Sequence, residues 1–133
     1  MTTGGKLKVL IVEDESLVAM LIEDMLLDLG YEVAAIAARL DQALTVAGTI
    51  DAHLAVLDLN LNGQRTDTIA EILRARGIPF IFATGYGGAG VTAEWRDVPV
   101  VQKPFQQSDL AAALSRLQLP QDVGVAPSPG VQS

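Results

Sequence analysis

The chain has 133 residues, half of them hydrophobic, no cysteine, and a formal net charge of −7. A domain of this size buries roughly two-thirds of its unfolded surface, so a core forms without staples. The missing cysteines exclude disulfides and thiolate metal sites, and the acidic balance argues against nucleic acid, whose phosphates reward clustered Lys and Arg. Met1-Thr-Thr-Gly-Gly-Lys6 has no apolar signal-peptide core, and no run approaches the roughly 18 apolar residues of a membrane span. The expectation is a cytoplasmic protein without membrane or nucleic-acid partners.

In chain order, residues 1–5 read as a disordered start. Lys8-Val-Leu-Ile-Val12 is a short β-branched apolar run that stops at Glu13-Asp14-Glu15. Ser16 is a candidate N-cap, and Leu17, Val18, Leu21, Ile22, Met25, Leu26 and Leu29 paint one face of a helix ending at Gly30. Tyr31 to Ala37 reads as a second strand, and Leu40, Ala43, Leu44 and Ala47 as an amphipathic helix ending at Gly48. His53-Leu-Ala-Val-Leu-Asp58-Leu-Asn60 is the pivotal stretch. Its continuous apolar run reads as a strand buried on both faces, and it releases one carboxylate, Asp58.

Thr66 can cap a third helix with Ile69, Ile72 and Leu73 on its buried stripe. Pro79 to Thr84 is a fourth strand, with proline tolerated at its first residue. Past the glycine-rich Gly85 to Gly90, Val91 to Arg96 suggests one or two helical turns. Val98 to Gln102 reads as a fifth strand, and Leu110, Leu114 and Leu117 mark a last helix. From Gln118 the chain is rich in Pro, Gly, Ser and Gln without periodicity, the composition of a flexible tail over 118–133.

Five alternations of strand and helix predict a doubly wound α/β fold over 6–117: a flavodoxin-like parallel sheet of order 2-1-3-4-5 with helices on both faces. That order collects Glu13-Asp14, Asp58, Thr84 and Lys103 at the carboxyl edge. Strands about 4.8 Å apart bring Asp14 and Asp58 close, and two carboxylates ~4 Å apart repel by roughly 4 kcal/mol at an effective dielectric near 20. A cation relieves this. Oxygen ligands without His or Cys favour Mg2+, with Mn2+ an acceptable substitute. Lys103, roughly 10 Å across two strands, reaches Asp58 through a long side chain and is a natural phosphate partner. The chemistry suggested is phosphoryl transfer onto Asp58 as nucleophile, with Thr84 and Lys103 holding phosphoryl oxygens.

Val-Glu13-Asp14-Glu, Leu-Asp58-Leu-Asn60, Ala-Thr84-Gly and Lys103-Pro104-Phe105 together resemble a response-regulator receiver domain over Lys6 to Leu117. The resemblance implies that Asp58 accepts phosphate from a sensor histidine kinase or phosphotransfer protein. It also implies that Asp14, Asp58 and the Asn60 backbone carbonyl ligate Mg2+, with Glu13 acting through water. Phe82-Ala-Thr84-Gly-Tyr86-Gly87 resembles a subgroup known in alphaproteobacteria and linked to HWE-type and related kinases. The usual switch aromatic, three residues before the lysine, is Val100 here, so the common coupling of Thr84 to that aromatic cannot operate in its usual form. The expected switch is Tyr86 with the flexible glycine loop.

Three other patterns lead elsewhere. Gly85-Tyr-Gly-Gly-Ala-Gly90 matches a dinucleotide fingerprint, but the span to Pro99 is too short for a crossover helix and no acid stands where a ribose needs one. His53 reads as a surface residue rather than a ligand, and Trp95 as either packing or partner-facing. The expectation is a stand-alone signalling domain, monomer or weak homodimer, acting on a downstream protein target by contact. The alternatives are a phosphorylation-independent binding module and an aspartyl-phosphate hydrolase. Asn60 weakens the second, because those enzymes place an acid at that position.

Overall fold

Strands that are apolar at every position need cover on both faces, and helices with one apolar face supply it. The computed structural model of the chain describes residues 6–85 and 90–119. In order they form β1 (Lys8–Val12), α1 (Ser16–Asp28), β2 (Glu32–Ala37), α2 (Leu40–Thr49) and β3 (Leu54–Asp58). The short strands β4 (Asn60–Leu61) and β5 (Gln64–Arg65) follow, then α3 (Asp67–Ala75), β6 (Phe80–Thr84), a 3-10 turn (Ala93–Trp95), β7 (Val100–Gln102) and α4 (Gln107–Ser115).

The main sheet runs β2-β1-β3-β6-β7, every pair parallel. With the small β4–β5 hairpin set aside, this is the predicted flavodoxin-like order. Successive strand residues point to opposite faces. Val9, Ile11, Leu54, Val56 and Ile81 pack with Ile22 and Leu26 of α1 and with Leu110 and Leu114 of α4. Leu10, Val12, Ala55, Leu57 and Phe82 pack with Ala43 and Ala47 of α2 and with Ile69 and Leu73 of α3.

Several local expectations are corrected. Ser16 is the first residue of α1 rather than its cap, Glu15 holds the cap position, and no side chain caps that end. Leu17 and Leu21 are 74% and 57% exposed, while Ala19 takes a buried place on α1. The fifth strand begins at Val100 rather than Val98, while the helical turn expected within Val91 to Arg96 is the 3-10 turn Ala93–Trp95. Leu117 lies past the end of α4 and packs, partly buried, on the α1–α4 core.

Trp95 is a packing residue, 1% exposed, with its ring edge-to-face with Phe80 and Phe82. His53 is half-buried: its Nδ1 accepts the Lys8 N–H at 2.9 Å and its own N–H donates to the Lys8 carbonyl, locking the start of β3 beside β1. The readings of residues 1–5 and of 120–133 lie outside the described residues.

Candidate functional site

The sheet register carries the acids to one level. Val12 pairs with Leu57, so Glu13, one step on, stands beside Asp58, and Asp58 pairs with Ala83 on β6. Two further bonds prolong the ladders past the strand ends: Glu13 N–H donates to Ala37 O at 3.0 Å, and Lys103 N–H to Thr84 O at 2.8 Å. These fix the backbone of Glu13 and of Lys103 before their side chains are considered.

Those side chains converge. Lys103 Nζ donates to Glu13 Oε1 at 2.6 Å and to Asp58 Oδ2 at 3.0 Å. Glu13, Asp14 and Asp58 each offer one carboxylate oxygen, and these lie within 4.8 Å of one another. Glu13 is 1% and Asp58 7% exposed. Burial pushes the Glu13 carboxyl up to about 7; the Lys103 hydrogen bond opposes this and the Asp58 charge adds to it. Burial pulls Lys103 down, but its bonds to Glu13 and Asp58 outweigh that and hold the ammonium above its ordinary value.

Each acid also has one oxygen held by a main-chain N–H. Glu15 N–H donates to Glu13 Oε2 at 3.2 Å, Asn60 N–H to Asp58 Oδ1 at 3.1 Å, and Asn62 N–H to Asp14 Oδ2 at 2.9 Å. The last two donors belong to the β4–β5 hairpin. Its turn residues Asn62 and Gly63 have φ of 51° and 84°, the signature of a two-residue type I′ turn. Ligand carboxylates held at their other oxygen are the usual support of a metal site. Three oxygen donors so held, beside one ammonium, fit a hard divalent cation.

Of the residues singled out in the sequence, Glu13, Asp14, Asp58 and Lys103 meet in this cluster. Thr84 ends β6 at the same edge, buried. Asn60 contributes its N–H to Asp58, and the role of its carbonyl rests on the resemblance. Val100 pairs with Phe82 and packs half-buried on the α2–α3 core. Tyr86 lies outside the described residues. Beside the cluster, Val18, Leu21, Met25 and Phe105 line an apolar groove of about 410 Å3 that reaches Gly85 and Lys103.

Two contributors escaped the sequence reading. The hairpin was announced by the Asn62-Gly63 dipeptide, the strongest short hairpin signal. Thr66 reads as a helix cap, yet its hydroxyl donates to the Asp58 main-chain carbonyl at 2.6 Å. No local pattern reveals that bond.

Comparison with known proteins agrees with this geometry. The family model of the response regulator receiver domain matches residues 9–115. The phyllosphere-induced regulator PhyR of Methylorubrum extorquens is 31% identical over 117 residues, 82% of this chain and 42% of that protein. The transcriptional regulatory protein PdtaR of Mycobacterium tuberculosis is 30% identical over 111 residues, 80% of this chain and 54% of that one. The chain thus spans about half the length of the curated relatives it matches. The solution structure of SdrG from Sphingomonas melonis Fr1 superposes with a TM-score of 0.74 at 39% identity, covering 87% of this chain and 98% of that one. With the family model spanning the whole sheet and the acid cluster at its carboxyl edge, the chain belongs to the response regulator receiver domain family.

Proposed function

We propose that Asp58 is the phosphoacceptor of a two-component signalling domain. The donor is a phosphohistidine on a sensor histidine kinase, of the HWE type or related, or on a phosphotransfer protein. The observation that carries this reading is the Lys103 ammonium held between Glu13 and Asp58, a cation aimed at the oxygen that would receive the group.

In the transfer, an Asp58 carboxylate oxygen forms the new O–P bond as the donor's P–N bond breaks, and the imidazole leaves with the electron pair. Lys103 and the Thr84 hydroxyl take phosphoryl oxygens, and the Asn60 N–H keeps the carboxylate oriented. Asp14, Asp58 and the Asn60 carbonyl would hold Mg2+ or Mn2+, with Glu13 supporting it through water, and the bound ion would offset charge on the phosphoryl group.

The output passes through protein contacts that a shift between two conformations alters. Leu17, Met20 and Leu21 are more than half exposed on α1, beside the groove that opens toward Lys103. A donor protein that reaches Asp58 covers this face. No helix among the described residues is long and apolar enough to cross a membrane, and the proposed setting is the cytoplasm.

The test is incubation with Mg2+ and acetyl phosphate, read by intact mass, on wild type and Asp58→Asn. One added phosphoryl group in wild type alone is the expected result. No added mass, or equal labelling of both proteins, overturns the assignment. Continuous release of phosphate from small esters points to a hydrolase instead.

A further inference from the structure

Thr66 is fully buried at the position just before α3, where a threonine hydroxyl ordinarily accepts a bond from an amide in the first helical turn. It forms no such cap. Its hydroxyl points back eight residues and donates to the Asp58 carbonyl at 2.6 Å, and its N–H donates to the Leu59 carbonyl at 3.1 Å. The residue forgoes the local bond that its position offers and closes the base of the β4–β5 hairpin onto the end of β3.

That choice bears on the acid itself. An aspartate has two side-chain torsions, so tilting its backbone carries the carboxylate along. The peptide plane that Thr66 holds joins Asp58 to Leu59, and the next N–H along the chain is that of Asn60, which holds Asp58 Oδ1 at 3.1 Å. Releasing the Asp58 carbonyl frees this plane to rotate. Rotation moves the Asn60 N–H away from Oδ1, turns Oδ2 from Lys103, 3.0 Å distant, and swings the carboxylate from the oxygens offered by Glu13 and Asp14.

We propose that Thr66 is a positioning residue: its buried hydroxyl, by fixing the Asp58 carbonyl, aims the Asp58 carboxylate into the cluster of Glu13, Asp14 and Lys103. The proposal rests on reading Asp58 as a metal-assisted phosphoacceptor. Thr66 touches neither metal nor phosphoryl group and acts through the geometry of Asp58.

The test compares Thr66→Val, which keeps the shape without the hydroxyl, and Thr66→Ser, which keeps the hydroxyl, in the full chain. Two quantities are read: the Mg2+ dissociation constant by calorimetry, and the rate of labelling by acetyl phosphate by intact mass. Loss of a group that orients a metal ligand typically weakens binding by ten- to a hundredfold. Thr66→Val is therefore expected to weaken Mg2+ by about tenfold and to slow labelling comparably, with Thr66→Ser restoring both to within about threefold of wild type.

Wild-type values in Thr66→Val overturn the proposal. So does a Thr66→Ser variant as impaired as Thr66→Val, since packing rather than the hydroxyl then matters. A wild type that binds Mg2+ but is never labelled, with Thr66→Val still weakening Mg2+, sinks the phosphoacceptor reading and leaves the positioning role standing. If Thr66→Val does not fold, a Mg2+ titration of wild type is followed by NMR. A backbone carbonyl carbon of Asp58 that shifts and saturates with its carboxylate carbon supports the role, and an unmoved one overturns it.

Discussion

Lys103 Nζ stands 2.6 Å from Glu13 Oε1 and 3.0 Å from Asp58 Oδ2, so one ammonium serves two buried acids at the carboxyl ends of strands β1 and β3. Removing one partner of a buried ion pair leaves an uncompensated charge and costs about 3 kcal/mol. Lys103→Met is expected to destabilise the metal-free protein by about that much, a fall in Tm of roughly 10 °C for a domain of this size. Mg2+ held by the same acids, as proposed, would supply positive charge there, so saturating Mg2+ is expected to raise the Tm of Lys103→Met by more than it raises that of wild type. Thermal unfolding with and without Mg2+ measures both differences. Equal melting of the two metal-free proteins contradicts the account.

The hairpin turn makes a second prediction. Gly63 has φ of 84° and a Cβ added there meets nothing within 4 Å, so Gly63→Ala introduces backbone strain without a clash. The left-handed region costs a non-glycine residue about 1 kcal/mol. Gly63→Ala is expected to lower the denaturant midpoint accordingly and to weaken Mg2+ binding, because the adjacent Asn62 N–H holds Asp14 Oδ2 at 2.9 Å. Unchanged Mg2+ affinity in a destabilised variant separates the turn from the site.

Much of this was written plainly in the chain. The runs Val9–Val12 and Leu54–Leu57 are apolar at every step, as a strand covered on both faces requires. Since the strand order aligns their ends, the acids and Lys103 were legible as a group. The width of α1's buried stripe was not. Periodicity gives the direction of a buried face, but the sheet fully buries Ala19, Ile22 and Leu26, packs Val18, Met25 and Leu29 only in part, and leaves Leu17 and Leu21 in solvent. The burial of Trp95 was equally hidden, because it depends on Phe80, Phe82 and Arg74, all distant in sequence. Thr66 was misread for the same reason: a local capping rule competes with a bond to a strand eight residues earlier, and the distant bond wins.

Acid stability carries a third prediction. Arg65 donates to Asp67 from Nε at 2.6 Å and Nη2 at 3.3 Å. These bonds, opposed by burial and aided by the Trp95 indole, hold the Asp67 carboxyl below its ordinary value. A folded-state pKa below the unfolded one adds stability that is fully present above the unfolded value and is lost as pH falls through the folded one. Asp67→Asn is therefore less stable than wild type at neutral pH, with the gap closing below the ordinary carboxylate range near 3.9. The pair is partly exposed, so the neutral-pH gap is at most about 1 kcal/mol. Urea titrations across pH read it, and a gap that persists at low pH excludes the ion pair as its source.

Asp67 also joins the site to the Ala93–Trp95 turn. It follows Thr66, which grips Asp58, and its Oδ2 accepts the Trp95 indole N–H at 3.1 Å. Trp95 is otherwise held by packing: ring centroids 5.8 Å from Phe80 and 6.3 Å from Phe82, with the Arg74 guanidinium carbon 4.8 Å from its own. Packing and hydrogen bond are separable by substitution. Trp95→Ala loses both and is expected to cost about 3–5 kcal/mol, whereas Trp95→Phe keeps an aromatic ring and loses the N–H. In a cycle of Trp95→Phe with Asp67→Ala, the hydrogen bond predicts a coupling of about 1 kcal/mol. Additivity within about 0.4 kcal/mol means that the indole is held by its ring contacts alone, and the link from Asp58 through Thr66 and Asp67 then stops short of the turn.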